Sequence, residues 1–462
     1  MPHKTPRANV LFIMADQWRG DWLGADGADF LRTPNLDRLA SRGMLLRRCY
    51  TNCPVCAPAR IGLASGLQPL NPGALNNHAF LPKNTPTYYQ HLRNHGYRVG
   101  CVGKLDLAKP DEFNGYRGDR PCTYQWGFTD PEECEGKMHA GRSTPEHILG
   151  PYGVFLNERG LLQKFHDDYA ARSAAGWIAG ASHDSVLPTD AFEDVYIGRR
   201  AVQWLRDQPG DFPWHYFVSF AGPHNPFDPP AEYADRWRDV EMPPAIPADH
   251  LDDKPAWVRQ RARGISEQES ITARRQYAAA IECIDDMVGE ILDALADRGE
   301  LDNTYIVFSS DHGEMLGDFG LWTKTYPYEP STHVPLIVAG PGIPAGRTSD
   351  ALTELNDLNP TICEMAGVGA MADIEARSFL PLLRGEANSH RDCVVSAMHN
   401  WRMIRTDRYK AVIDYGSNGA TELYDLSEDP QELRNIASEQ PELARDLAGR
   451  CVQRYLETRW HR

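Results

Sequence analysis

The chain has 462 residues and a formal net charge of −16, from 48 lysines and arginines against 64 aspartates and glutamates. Its 42% hydrophobic and 24% charged residues are ordinary for a folded protein and exclude a disordered chain or a fibre. The acidic balance argues against nucleic acid as the main partner, yet leaves room for a small anion held by a few local cations.

The first apolar run, Asn9 to Met14, reads as a buried strand ending in Ala15-Asp16-Gln17. It is too short for a signal-peptide core, and no stretch of about 18 apolar residues follows anywhere. The expectation is a soluble, cytoplasmic protein with no membrane partner. Thr33-Pro34-Asn35 opens a helix with Leu36 and Leu39 on one face. Tyr97–Val102 and Tyr216–Phe220 read as strands, and residues 272–298 as the longest helix. In it Ile281, Ile284, Val288, Ile291 and Leu295 recur at helical spacing. Strands follow at Thr304–Phe308 and Val334–Ala339. Strands alternating with helices predict a largely parallel α/β sheet covered on both faces. After about residue 375 the texture changes: a hairpin over Met403–Ile413, a short strand at Leu423–Leu426 and an amphipathic helix over Glu442–Trp460. The prediction is a catalytic domain over 1–375 and a smaller α+β subdomain with a short antiparallel sheet over 376–462.

Ten cysteines without a regular framework fit reduced, buried thiols rather than a disulfide scaffold. Cys53-x-x-Cys56 lacks the second pair that a structural zinc site needs. In a parallel sheet, residues just past the strand ends converge on one crevice. Asp16-Gln17 and Asp311-His312 stand at such ends and form an oxygen-rich set with one imidazole, suited to Ca²⁺, Mg²⁺ or Mn²⁺. Strand-end aspartates also cap helices and turns, so either motif alone leaves that alternative open. Cys56-Ala57-Pro58-Ala59-Arg60 places a cysteine at a helix start, where free N–H groups favour anions, with Arg60 one turn on.

Cys56-x-Pro58-x-Arg60, followed by Ser65-Gly66, resembles the signature of the formylglycine-dependent type I sulfatases of the alkaline phosphatase superfamily. Asn9–Asp16, Thr33–Ala40, Gly103-Lys104, Pro223-His224, Ser310–Gly313, Val334–Ile337, Leu423–Leu426 and Asp429-Pro430 look like further landmarks in family order. Asp16-Gln17-Trp18-Arg19 and Cys53-Pro54-Val55-Cys56 look closest to the phosphonate monoester hydrolase branch.

The resemblance implies an alkaline-phosphatase-like fold and a nucleophile made by a formylglycine-generating enzyme from Cys56. It implies one divalent metal, calcium first and manganese or magnesium as alternatives, on Asp16, Gln17, Cys56, Asp311 and His312. The chemistry implied is attack on a sulfate monoester by one hydroxyl of the aldehyde hydrate, through a covalent sulfo-enzyme intermediate. The second hydroxyl then expels sulfate and reforms the aldehyde. Arg60, Lys104 and Lys324 would supply fixed positive charge, which usually carries the largest catalytic term. His224 is assigned to the leaving oxygen, as general acid or binding group. Asn77 and Asp106 are assigned to substrate binding. Where many sulfatases read Gly-Lys-x-His, this chain reads Gly103-Lys104-Leu105-Asp106, similar to arylsulfatase K-type glucuronate 2-sulfatases.

Lys104 favours sulfate over the phosphonate monoester or phosphodiester alternative. A non-catalytic binding protein on this fold fits less well, since the ligand set is intact. A phosphomutase-like transferase would want Ser or Thr at position 56. Loops over about 110–190, with Arg117, Arg120, Trp126, His139, Arg142 and His147, are expected to set the leaving group. Their mixture is compatible with a sulfated sugar and equally with a leaving group of another kind. A homo-oligomer is expected from the relatives' habit.

Overall fold

The computed structural model describes residues 7–417 and 419–457. In chain order its strands are β1 (Asn9–Asp16), β2 (Met44–Leu46), β3 (Cys49–Tyr50), β4 (Arg98–Gly103), β5 (Asp130–Glu133), β6 (Trp214–Pro223), β7 (Thr304–Ser310), β8 (His333–Val334), β9 (Leu336–Ala339), β10 (Arg347–Ser349), β11 (Thr353–Glu354), β12 (Cys393–Ala397), β13 (Trp401–Thr406), β14 (Tyr409–Asp414) and β15 (Glu422–Asp425). The large sheet has eight strands in the order β10-β2-β9-β7-β1-β6-β4-β5. β1 pairs in parallel with β6 and β7, and β4 in parallel with β6 and β5. β9 runs against its neighbours β7 and β2. The expected, mostly parallel α/β sheet is therefore present.

β1 shows why it sits at the centre. Side chains alternate between the two faces of a strand. Val10, Phe12 and Met14 pack with Ile61 and Leu63 on one face. Leu11, Ile13 and Ala15 pack with Ile281, Ile284, Val288, Ile291 and Leu295 on the other. All six are fully buried, so the strand is apolar throughout rather than alternating.

The long helix runs over Glu267–Asp297, five residues earlier than its apolar period suggests. Ser266 and Glu269 form a capping box that extends it: the Glu269 N–H donates to Ser266 Oγ and the Ser266 N–H to the Glu269 carboxylate. The strand expected over Val334–Ala339 divides at Pro335, which has no N–H for a ladder. Its first part, β8, joins a three-stranded sheet in the order β11-β3-β8, and its second part becomes β9.

The hairpin expected over 403–413 is β13–β14, and β15 follows it in the antiparallel order β12-β13-β14-β15. β12 carried no clear sequence signal, being one short apolar run among others. The last helix spans Pro441–Glu457, with Leu447, Cys451 and Tyr455 buried against the small sheet. Residues 458–460 of the expected helix lie outside the described residues. All ten cysteines are free, nine of them buried. No helix among the described residues is long and apolar enough to cross a membrane.

Candidate active site

β7, β1, β6 and β4 are adjacent and parallel, so their C-terminal ends open onto one crevice. The residue after each strand, or its last one, carries a functional group: Asp311, Asp16, His224 and Lys104. Gly103 makes the approach of Lys104 possible. Its φ is +95°, and a Cβ there would lie 1.9 Å from the Ser219 carbonyl, which accepts the Lys104 N–H. Gln17, Asp106, Thr323 and Thr325 also hold positive φ. Such backbone is uncommon for residues other than glycine and clusters at functional sites.

Cys56 is the first residue of the Cys56–Ser65 helix, which faces these strand ends. Its Sγ lies 3.2 Å from His312 Nε2 and 3.8 Å from Asp16 Oδ1. His312 Nε2 stands 3.6 Å from Asp311 Oδ1 and 3.8 Å from Asp16 Oδ1. One donor atom from each of Asp16, Cys56, Asp311 and His312 falls within 4.8 Å of the others, and all four residues are fully buried. His312 Nδ1–H donates to the Gly313 carbonyl, which turns Nε2 toward the cluster. This donor set fits a divalent cation.

Three cations ring the cluster. Arg60 Nε donates to Asp311 Oδ2 at 2.8 Å and Nη1 to Ser219 Oγ at 2.7 Å. Its Nη2 is buried without a hydrogen-bond partner, 3.6 Å from Asp16 Oδ2. Lys104 pairs with Asp16 and, at 3.1 Å, with Asp106 Oδ2. Asp106 also takes Lys109. Lys324 donates to Gln17 Oε1 and to His224 Nε2.

These charges override burial. Burial alone would raise the Cys56 thiol, but Lys104, Lys109, Lys324 and His312 hold it well below the usual thiol range. Cys53, which burial and the Cys56 charge push up, contacts Met398 instead. Burial and the Cys56 charge oppose ionisation of Asp16; Lys104, His224 and Arg60 outweigh them and keep its carboxyl below the carboxylate range. Burial would lower Lys104, but Asp106, Asp16 and Cys56 raise it well above its ordinary value. Burial and the neighbouring Lys324 push His224 down to about 4. The ring is thus neutral near pH 7: Nδ1–H donates to the Asn225 carbonyl and Nε2 accepts from Lys324.

Gln17 is drawn toward cations and acids around the cluster. Its Nε2 donates to Asn225 Oδ1 at 3.2 Å and to Glu314. Asn77 Oδ1 accepts the Ala57 N–H at 3.1 Å, capping the Cys56 helix, and Asn77 also stands on the cavity wall. Glu314, Ser219 and Asn225 carry no sequence expectation of their own. Glu314 lies one residue past the Ser310–Gly313 motif, where its spacing could have drawn notice.

The crevice opens into a cavity of about 580 Å³ with Asn77, Lys104, Asp106, His224 and Lys324 on its wall. Among the described residues, no Phe, Tyr or Trp lines it. Of the loop residues expected there, Arg120, His139 and Arg142 line this cavity. Arg117 is exposed and lines a separate surface cavity. Trp126 is a core residue instead, its large ring packed in the cluster behind β4. His147 bonds back to Thr144 through a local turn and is exposed.

A family model described as Sulfatase matches residues 8–368, and one described as N-sulphoglucosamine sulphohydrolase, C-terminal, matches 317–455. Choline-sulfatase of Rhizobium meliloti (strain 1021) is 30% identical over 454 residues, covering 94% of this chain and 83% of that protein. Arylsulfatase K of Xenopus laevis is 27% identical over 467 residues, covering 96% and 81%. The crystal structure of the phosphonate monoester hydrolase of Agrobacterium radiobacter superposes with a TM-score of 0.81 at 25% identity, covering 98% of this chain and 96% of that one.

Proposed function

The chain belongs to the sulfatase family of the alkaline phosphatase superfamily, and from that premise we propose that it hydrolyses sulfate monoesters in the crevice at Cys56. One observation carries the reading. Donor atoms of Asp16, Cys56, Asp311 and His312 gather within 4.8 Å, inside a ring formed by Arg60, Lys104 and Lys324.

Asp16, Asp311, His312 and residue 56 would hold one divalent cation, calcium first, with the Gln17 amide as a further oxygen donor or a substrate contact. The cation supplies Lewis-acid stabilisation of developing charge. Residue 56, once converted to Cα-formylglycine by a maturation enzyme, supplies the attacking oxygen as its hydrate. The other roles belong to this chain's side chains. Arg60 and Lys104 set fixed positive charge beside residue 56, where the sulfate oxygens gather charge. Asp311, held by Arg60 Nε and the His312 N–H, is placed to take a proton from residue 56. Lys324 gives its proton to the leaving alcohol, and neutral His224 orients that ammonium by accepting one of its N–H bonds. Asn77 keeps its amide N–H for substrate, since its oxygen already caps the helix.

The leaving group we assign is a hydroxylated, sugar-like alcohol. Among the described residues the cavity wall has no Phe, Tyr or Trp face to cradle a quaternary ammonium, but it carries Asp106, Lys109, Asn114 and Arg142. A second reading, phosphonate monoester or phosphodiester hydrolysis, draws on the likeness to the Agrobacterium enzyme and on Asp16-Gln17-Trp18-Arg19. We also place a subdomain boundary near residue 375/376, ahead of the β12–β15 sheet.

The test is kcat/KM for an aryl sulfate against the matching aryl phosphonate monoester, on cation-replete protein whose residue 56 has been verified by peptide mass. A ratio well above one supports the sulfatase; a ratio well below one turns the reading to phosphonates. Cys56→Ala and chelation of the cation should each abolish turnover, and unchanged turnover of Cys56→Ala would end the mechanism.

A further inference from the structure

Arg274, on the Glu267–Asp297 helix, lies outside the crevice and is 3% exposed. Its Nε and Nη1 are buried with no hydrogen-bond partner. The nearest acid, Asp318, stands 3.7 Å from Nη2 and has both oxygens engaged. Its Oδ1 accepts the Ile246 N–H at 3.0 Å and its Oδ2 accepts Arg19 Nη1 at 2.8 Å. Nearby acids are engaged too: Asp21 by Arg19, and Glu329 and Glu432 by Lys410. Burial lowers the Arg274 pKa only to about 10, so the guanidinium stays charged. Two buried N–H-bearing nitrogens of a charged group without an acceptor are costly, and an anionic partner on that edge relieves the cost.

Arg274 lines a cavity of about 310 Å³ between the loop around Pro243 and Ile246 and the C-terminal residues Pro430–Glu432. The Trp22 ring lies 5.5 Å from the guanidinium carbon. Phe30, Pro243, Pro244 and Ile246 give the same cavity apolar surface, while the four acids on its wall, Asp21, Asp318, Glu329 and Glu432, are the ones already neutralised by Arg19 and Lys410. A planar fork beside an aromatic face matches a planar carboxylate attached to an apolar body.

We propose that this cavity is a second, non-catalytic site that binds a small carboxylate with an aromatic or aliphatic body, anchored by Arg274 and flanked by Trp22. The site is independent of the sulfatase reading.

The probe is 4-fluorobenzoate, titrated by ¹⁹F NMR and by the rise in Tm, against wild type, Arg274→Met and Lys324→Ala. Arg274→Met also removes the 3.7 Å ion pair with Asp318, but Asp318 keeps the Ile246 N–H and Arg19, and urea unfolding checks that the variant is folded before it is titrated. Expected results are saturable binding to wild type, unchanged binding to Lys324→Ala, and at least tenfold weaker binding to Arg274→Met. The neutral isostere 4-fluorobenzamide should fail to raise the Tm of wild type, a control that needs no variant. Three results would each overturn the proposal: no saturable binding to wild type, binding lost in Lys324→Ala but kept in Arg274→Met, or equal binding of the benzamide.

Discussion

Lys324 Nζ lies 2.5 Å from His224 Nε2, and the imidazole that accepts it is anchored through Nδ1 to the Asn225 carbonyl. The pair joins two loops that follow different strands, β6 and β7. A neutral imidazole held this way cannot give up a proton from Nε2. In the function proposed above it orients the Lys324 ammonium toward the leaving oxygen.

Lys324→Ala should therefore reveal itself through the leaving group. For an alkyl or sugar sulfate, kcat/KM should fall by about 10²–10⁴-fold, the usual worth of general acid catalysis. For an aryl sulfate with an acidic phenol the loss should be much smaller. His224→Ala should show the same pattern with a smaller amplitude. A leaving-group series measured on both variants checks this; equal losses across the series would assign Lys324 to charge alone.

Arg60 bridges two buried carboxylates, sharing Asp16 with Lys104. It bonds Asp311 at 2.8 Å and stands 3.6 Å from Asp16. Arg60→Ala leaves buried negative charge uncompensated and should cost about 3–5 kcal/mol in cation-free protein, read by urea denaturation. Added cation should recover part of that stability and none of the activity.

Asp106 lies between Lys104 and Lys109, with positive φ. If its work is to hold Lys104 over the crevice, Asp106→Ala should lower kcat/KM for simple aryl sulfates and for sugar sulfates by the same factor, up to about 10²-fold. Steady-state kinetics on both classes decide it, and sparing of the simple aryl esters would move Asp106 to recognition of the leaving group.

Glu422 sets a pH dependence of stability far from the crevice. Burial pushes its carboxyl up to about 7, against the opposing effect of Lys254 and the hydrogen bonds from Tyr424 and Tyr328. Its ordinary value is 4.5. Between these two values the folded state binds more protons than the unfolded one, so this group's contribution to stability falls as pH rises from about 4.5 to about 7. Glu422→Gln should flatten that slope, gaining up to about 3 kcal/mol over wild type at pH 8 and little at pH 4.5. Urea unfolding at the two pH values measures it.

Much of the crevice could be read from the sequence because its groups follow strand ends or a helix start. Apolar runs closing in Asp16 and Ser310-Asp311-His312, and Cys56-x-Pro58-x-Arg60 at a helix N-terminus, are local patterns. Local backbone geometry determines what such patterns do. The central strand was legible as an unbroken apolar run, the core face of the long helix by its 3.6-residue period and the C-terminal hairpin by its polar turn, all properties of short segments. The break of Val334–Ala339 at Pro335 follows from the residue's own chemistry, although which sheet each half joins does not.

Only the tertiary structure decided which groups share a charge. Asp16 and Lys104 are 88 residues apart, His224 and Lys324 100, and Gln17 and Glu314 297. Their pairing depends on the order β7-β1-β6-β4, which the sequence pattern leaves open. The same holds for Trp126 in the core, Arg117 outside the crevice, and the two Arg274 nitrogens left without an acceptor. Hydropathy and spacing are set along the chain. The electrostatic state of a buried group depends on every charge that folding brings within a few ångströms of it.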